Sequence, residues 1–159
     1  MDKRALIKKI VTQLGAELEL LVKAARAAHA EATHESSKAE NKYDTRGLEA
    51  SYLAHGQSKQ VAELEQSIEE FKALPARKFS ADEAINLGAL VELTSKTESA
   101  FYFLGPRAGG TEVVQGQKEI LVITPASPLG QQLVGRKQGE KVKLQLGGTK
   151  TESSIAAVH

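Results

Sequence analysis

The sequence contains no cysteine and no tryptophan, and its aromatic residues are limited to four phenylalanines and three tyrosines. The lack of cysteine excludes a disulfide framework and a thiolate metal site, and it permits a reducing compartment. The small number of aromatic rings argues against an aromatic-lined ligand pocket and against a base-stacking surface, because both need several exposed rings. These absences therefore argue against a small-molecule pocket and against a surface that binds single-stranded nucleic acid.

The chain also lacks an excess of charge of either sign and lacks a long apolar segment. Its 21 basic and 20 acidic residues leave a formal charge of +1, so no bulk electrostatic field favours nucleic acid or a membrane surface. The start of the chain holds no uninterrupted apolar run of the secretory type, and no run approaches the ~20 residues that cross a bilayer. We therefore expect a cytoplasmic protein without membrane association.

Proline is absent from the first 74 residues and recurs from Pro75 onwards. The first part is rich in Ala, Leu, Glu, Lys and Gln, which favour helix. In the second part, Gly and Pro punctuate short stretches of Val, Leu, Ile and Thr, which is typical of strands and turns. The shift predicts an α+β protein with two domains, a helical one over 1–76 and a β-rich one over 80–159.

Two series of mostly apolar residues recur in the helical part at alternating steps of four and three. The first consists of Ile7, Val11, Leu14, Leu18, Leu21, Ala25, Ala28 and Ala32, and the second of Ala50, Ala54, Gln57, Val61, Leu64, Ile68 and Phe71. This spacing puts one stripe along each helix and predicts the seam of a coiled coil.

The two series match each other when they are faced in opposite directions. The numbers of facing residues then add to 78 or 79, as an antiparallel hairpin requires. Half of that value places the apex near residue 39, roughly 45–50 Å from Ile7. Pairing with a second protomer is the alternative, and the constant register favours a hairpin folded within a monomer.

The β-rich part is predicted to form an antiparallel sheet with one short helix. Strands are expected at 89–93, 100–104, 119–124, 141–146 and 149–158. The last two flank Gly147-Gly148, a two-residue hairpin signal. Ser127 and Pro128 are placed as the N-cap and first residue of the short helix, which ends at Gly135. Residues 80–84 are expected to form a further capped helical turn.

The segment from Ser127 to Glu140 carries a specific order of residues. It begins Ser-Pro-Leu-Gly, continues with an apolar pair before Gly135-Arg136-Lys137, and reaches Gly139-Glu140 after one more residue. This order closely resembles the C-terminal signature of the Gre transcription elongation factors, and 87–93 resembles the first strand of the same domain. The resemblance implies an N-terminal coiled-coil hairpin and a small FKBP-like domain, together with the family's association with transcription regulation and DNA binding.

In the Gre family, the hairpin tip enters the secondary channel of RNA polymerase. There an acidic residue helps the polymerase's own active site to bind a second Mg²⁺, so that backtracked RNA is cleaved. The resemblance implies that RNA polymerase is the partner here and that the nascent RNA 3′ end is approached only indirectly. It also implies a factor that stimulates the polymerase rather than an enzyme acting alone, with no cofactor of its own beyond the shared Mg²⁺.

The predicted tip spans about 35–46 and departs in part from the family's Asp-Leu-Lys-Glu-Asn. Glu40 matches the second acid, whereas Ser37 stands where the Asp would be. A hydroxyl is a much poorer Mg²⁺ ligand than a carboxylate, so Glu35 and Asp44 are the candidate substitutes. Glu40 and Asp44 also have capping as an alternative role. The tip residues expected to contact the partner are Ser37, Lys38, Asn41, Tyr43 and Arg46.

A second candidate contact lies in the β-rich domain, where Arg136 and Lys137 form a basic cluster with Lys141 and Lys143. A polymerase-facing contact and ordinary solvated charge at a strand edge are both open for this cluster. Three functional alternatives also stay open. They are a channel binder without cleavage activity, which would inhibit or antagonise Gre factors, an FKBP-like chaperone or prolyl isomerase, and a coiled-coil assembly module.

Overall fold

A computed structural model describes residues 1–33, 46–146 and 148–159, with their side chains except at 29, 31–33, 46–55 and 146. In chain order, the elements are α1 (Lys3–Thr33), α2 (Arg46–Ala73), β1 (Leu90–Thr94), β2 (Ser99–Leu104), β3 (Glu112–Gln115), β4 (Lys118–Ile123), α3 (Pro128–Leu133), β5 (Lys141–Leu146) and β6 (Thr149–Val158). Among these described residues, no helix is both long and apolar enough to cross a membrane.

The chain divides into two compact units. The helical unit is Val11–Glu69, and the sheet unit combines Met1–Ile10 with Glu70–His159. The composition boundary near residues 74–80 marks the change from helix to strand, whereas the compact units divide at residues 10 and 70. Both ends of the helical unit therefore continue into the sheet unit along the chain.

The helical unit buries the predicted seam. Every described seam side chain between Val11 and Ile68 is buried or half-buried, with Leu14 at 1% and Ile68 at 8% exposure. Glu17 and Glu19, which lie off the seam, are exposed. One-sided burial at this spacing is expected of two helices that pack along a single stripe, so the predicted helical hairpin is confirmed for the described residues.

The first turns of α1 are part of the sheet unit. Leu6 and Ile10 are fully buried there. Lys9 Nζ donates a hydrogen bond of 2.9 Å to the Val114 carbonyl oxygen of β3. The Gln115 side-chain amide donates one of 2.9 Å to the Asp2 carbonyl oxygen. These contacts anchor the start of the helix to the edge strand of the sheet.

The six strands form one mixed sheet in the order β3-β4-β2-β1-β6-β5. Strands β2 and β4 are parallel, with Phe101 opposite Ile120, and the other neighbouring strands are antiparallel. The prediction of a purely antiparallel sheet is therefore wrong in this one pairing. Strand β3, which the sequence did not predict, reverses the chain once more between β2 and β4, and β4 thus runs in the direction of β2.

The centre of the sheet is buried on both faces. On one face, the core includes Leu133 of α3 together with Val91, Leu93, Leu104, Ile123, Val142, Leu144 and Ile155. Alternation along the strands puts Phe103 and Val122, both fully buried, on the other face. The Phe103 ring lies 6.5 Å from that of Phe71 at the end of α2. Burial on both faces explains why these strands are almost continuously apolar.

The other secondary-structure predictions for the sheet unit are confirmed except for one helical turn. The β1–β2 and β5–β6 hairpins and the Ser-Pro start of α3 are confirmed. The helical turn predicted at residues 80–84 is wrong, because these residues form only a turn, closed by a 3.1 Å bond from Glu83 N to Ser80 O. Next in the chain, Ile85 exchanges main-chain hydrogen bonds with Gly135 and Arg136, and this pairing holds it extended.

Candidate functional site

The predicted tip lies between the last residue of α1, Thr33, and the first residue of α2, Arg46. Glu40 is seven residues after the one and six before the other, close to the predicted apex. The tip candidates outside the described residues are Glu35, Ser37, Lys38, Glu40, Asn41, Tyr43 and Asp44. The side chain of Arg46 also lies outside them. Their proposed roles stay predictions.

Close packing around α3 explains several residues of the signature segment, which runs from Ser127 to Glu140. The Ser127 hydroxyl accepts a hydrogen bond of 3.0 Å from Gly130 N and donates one of 2.7 Å to Thr124 O. A Cβ at Gly130 would lie 1.8 Å from that same carbonyl oxygen. Gly135 ends the helix region with φ +84°, which favours glycine. These residues therefore shape the backbone and carry no chemistry themselves.

Arg136 and Lys137 follow directly and combine a fixed backbone with exposed side chains. Arg136 O accepts a 2.7 Å hydrogen bond from Ile85 N, and Arg136 N donates one of 3.0 Å to Leu133 O. Lys137 N donates to the Glu140 carboxylate, and Glu140 N donates back to Lys137 O. A rigid turn thus presents two cations to solvent, which suits a contact with an acidic partner surface.

The neighbouring lysines of β5 are partly neutralised. Lys141 Nζ lies 3.4 Å from a carboxylate oxygen of Glu152, and both side chains are more than half exposed. In the strand register, Glu152 is also directly opposite Lys143. An exposed pair of this kind contributes little, and the acid reduces the local positive charge. Arg136 and Lys137 are therefore the stronger part of the predicted cluster.

Of the three aromatic residues of β2, Phe101 and Tyr102 line a common cleft and Phe103 does not. Phe103 is fully buried, and Phe101, on the same face, has Lys118 Nζ 4.4 Å above its ring. Tyr102 is half-buried on the opposite face, packed against the core beside Leu121, and burial raises the pKa of its hydroxyl. A prolyl isomerase needs several rings around one cavity, so this arrangement gives that alternative no support.

Residues 1–33, 46–146 and 148–159 hold no group of three or more His, Asp or Glu side chains placed to bind an ion. The candidate ligands at the tip, Glu40, Asp44 and Glu35, are carboxylates, the hard oxygen donors that suit Mg²⁺. By chemistry, these predicted ligands fit the ion.

One charged residue that the sequence did not single out is buried. Lys3 is 5% exposed, and its Nζ donates hydrogen bonds of 2.9 Å to Gly88 O and 2.8 Å to His159 O. Burial, followed by the nearby Arg77, lowers its pKa to about 8, while Glu83 opposes the shift. No local pattern could have identified it, because both acceptors are distant in the chain.

Comparisons with known proteins give structural similarities only. No family model matches the chain, and neither does any curated protein. GreA factor homolog 1 (Gfh1) of Thermus thermophilus is 23% identical, covering 94% of each chain, with a TM-score of 0.39. Gfh1 of Thermus aquaticus is 25% identical, covering 93% of this chain and 92% of its own, with a TM-score of 0.40.

A third solved structure is the transcription elongation factor GreA/GreB from Nitrosomonas europaea. It is 17% identical, covering 70% of this chain and 91% of its own, with a TM-score of 0.34. These are Gre-type factors by name, the type that the residue order from Ser127 to Glu140 resembles.

Proposed function

We propose that this chain is a transcription elongation regulator that binds bacterial RNA polymerase and inserts its hairpin tip into the secondary channel. The observation that carries the proposal is the pair of long helices whose ends, at Thr33 and Arg46, bracket a polar segment centred on Glu40. The 31 residues of α1 span about 46 Å at ~1.5 Å per residue, long enough to reach down a deep channel.

The sheet unit would provide the second contact with polymerase. Arg136 and Lys137 present exposed cations from a turn whose backbone is hydrogen-bonded at both residues. Fixed cations of this kind favour an acidic surface and speed its encounter more than they raise the final affinity. In this proposal, the tip acts at the polymerase active site, and the contact made by the sheet unit orients the protein on the polymerase.

At the tip, Glu40 would supply a carboxylate oxygen to the Mg²⁺ shared with the polymerase active site, with Asp44 or Glu35 as the auxiliary ligand. When bound, such an ion would supply a water molecule of lowered pKa and would stabilise charge on the phosphate that is cleaved. The residues of this chain hold and orient the ion, whereas the polymerase performs the cleavage. Ser37 has a hydroxyl where the family has a carboxylate, and a hydroxyl would be a weaker ligand for the ion.

The test adds the purified protein to stalled, backtracked elongation complexes with Mg²⁺ and measures short RNA fragments released from the 3′ end. Glu40→Ala should reduce the stimulated cleavage rate at least ~10-fold, as loss of a group that supports a metal does, while polymerase binding persists. Glu65→Ala, an exposed acid on α2, is the matched control and should leave cleavage unchanged.

Ser37→Asp extends this test by restoring a second carboxylate. We expect it to raise cleavage above the parent level, because Mg²⁺ then gains a stronger ligand. If Glu40→Ala cleaves as fast as the parent, the assignment of the tip is wrong. If the parent binds polymerase and blocks cleavage by another factor, the chain is a channel-occupying antagonist.

The remaining alternative is a coiled-coil assembly module. The structural observation against it is that the described seam side chains between Val11 and Ile68 are buried or half-buried within one chain. Light scattering should therefore give the mass of a monomer, 17.1 kDa. A stable dimer that fails to bind polymerase would favour the assembly module.

A further inference from the structure

A cleft in the sheet unit has several basic side chains among its lining residues. Its walls come from three distant parts of the chain, and its volume is about 540 Å³, within the range of small-molecule sites. The lining residues are Met1, Asp2, Lys3, Arg4, Ala76, Lys78, Phe79 and His159. Four of these eight side chains are basic or can become so, and one is acidic.

The interior of the cleft is built around Lys3 and Phe79. Phe79 is only 7% exposed, and the Lys3 ammonium lies 4.7 Å from its ring centre. Arg77 stacks over the same ring with its guanidinium carbon 3.9 Å from the centre. Lys3 is held in place by the Gly88 and His159 carbonyl oxygens. Lys3 is thus a fixed cation in the interior, and Arg77 is paired with Glu83 at 2.5 Å. Arg4 and Lys78 are exposed side chains at the walls.

The only acidic side chain among the residues that line the cleft, Asp2, is already hydrogen-bonded. Asp2 Oδ1 accepts hydrogen bonds from the backbone of Arg4 at 2.9 Å and of Ala5 at 3.2 Å, so it caps the start of α1. Because these backbone amide groups at the start of α1 already have an acceptor, they are not what would attract an anion. The attraction comes from the side chains of Lys3, Arg4, Lys78 and His159.

The titrating groups of the cleft report this positive environment. Burial lowers the pKa of Lys3 first, and the charge of Arg77 lowers it further, with Glu83 working in the opposite direction. Burial also lowers the pKa of His159, and the amino group of Met1 lowers it further; Glu92 opposes the shift, and Lys118 and Lys3 add smaller effects. Burial is the main cause of both shifts, and positive neighbours contribute to each; a bound anion would stabilise the charged form of both groups.

We infer that this cleft binds a phosphate group, with Arg4 and Lys78 closing on it from the walls and Lys3 and His159 behind it. A phosphate ester carries a charge of about −1.5 to −2 and three strong acceptor oxygens, which matches several converging donors better than a single carboxylate does. The planar guanidinium of Arg4 is suited to bidentate phosphate contact. The site is independent of the tip and of the function proposed for it.

The experiment follows the four histidine side chains by NMR while the pH is varied, with and without inorganic phosphate at constant ionic strength. We expect phosphate to raise the pKa of His159 by about one unit, because a nearby opposite charge stabilises the imidazolium. His29, His34 and His55 act as internal references, since a change shared by all four histidines reports general screening rather than a site.

Variants of the exposed wall residues locate the effect. The double variant Arg4→Gln, Lys78→Gln should abolish the phosphate-dependent shift and leave the protein folded, because exposed substitutions rarely change stability by more than ~0.5 kcal/mol. Lys59→Gln, an exposed lysine of the helical unit, should leave the shift intact. Retention of the shift in the double variant, or an equal shift with chloride, would overturn the inference.

Two further probes identify the source of the phosphate. A nucleoside triphosphate represents a free small molecule, and an oligoribonucleotide with a 5′-phosphate represents a nucleic-acid end. A response to the triphosphate alone indicates a nucleotide site. A response to the 5′-phosphorylated oligonucleotide that disappears with its 5′-hydroxyl form indicates an RNA-end site. Failure of all three phosphate probes to move His159 contradicts the inference and leaves the polymerase proposal untouched.

Discussion

Substitution of Gly130 by alanine should destabilise the sheet unit more than a typical substitution at a surface residue does. The new Cβ would lie 1.8 Å from Thr124 O, 2.8 Å from Thr124 C and 2.9 Å from Ser127 Oγ. An ordinary contact at this position would be at least 3.4 Å. The backbone of α3 or of Thr124 must therefore move by more than an ångström.

That movement disturbs bonds that depend on the same carbonyl. Thr124 O accepts hydrogen bonds from Ser127 N at 3.0 Å and from Ser127 Oγ at 2.7 Å. Overpacking typically costs 1–3 kcal/mol, and each weakened hydrogen bond adds about 1 kcal/mol. We expect Gly130→Ala to lower the free energy of unfolding by about 3–5 kcal/mol, a large part of the ~5–15 kcal/mol that usually stabilises a domain.

Urea unfolding measures the loss of stability of the whole protein. Hydrogen exchange of peptides covering 118–146 shows whether that loss of stability lies in the sheet unit. Gly15→Ala is the matched control, because nothing lies within 4 Å of a Cβ at that helical position. It should raise stability by about 0.5–1 kcal/mol through helix propensity. A Gly130→Ala protein within ~0.5 kcal/mol of the parent would refute the packing argument.

The remaining predictions concern Lys3 and Ser127. The pKa of Lys3 is about 8 in the folded state against 10.5 for the free side chain, so the unfolded chain binds the proton more tightly and stability should rise with pH across that window. Urea unfolding from pH 7 to pH 10.5 should show a gain of roughly 2 kcal/mol, allowing for solvent screening, that Lys3→Met lacks. An identical slope in both proteins would contradict the assignment. Ser127→Ala removes the cap of α3 and should cost about 1–2 kcal/mol, measured by urea unfolding and by faster exchange at Gly130 N. Unchanged exchange there would show that the cap is dispensable.

Local patterns in the sequence predicted much of the fold. The β5–β6 hairpin follows from a glycine pair between two alternating strands, and Gly148 has the positive φ that such a turn needs. The start of α3 follows from Ser127 and Pro128. The seam of the helical unit follows from heptad spacing. In each of these cases, residues close in sequence determine the structure.

The features that the sequence did not predict depend on distant partners or on short elements. Strand β3 has only four residues and lies at an edge, too short for alternation to be recognised. Strand β2 pairs in parallel with β4. Which strand it pairs with depends on residues that are distant in the sequence, so no local pattern predicts it. The cleft in the sheet unit likewise needs Lys3 and His159 to meet across 156 positions. The tip was predicted from the signature and the apex arithmetic, and its residues lie outside those described.

The division of the chain at Ile10 and Glu70 makes the hairpin an insertion within a discontinuous domain. The polypeptide begins the sheet unit, departs for the whole of Val11–Glu69, and returns to complete it. A fragment that starts at residue 80 would lack Leu6, Ile10 and Phe71, all fully buried in the complete chain. Conversely, hairpins lengthened or shortened by whole heptads should be exchangeable without redesigning the sheet, because the points of departure and return stay fixed.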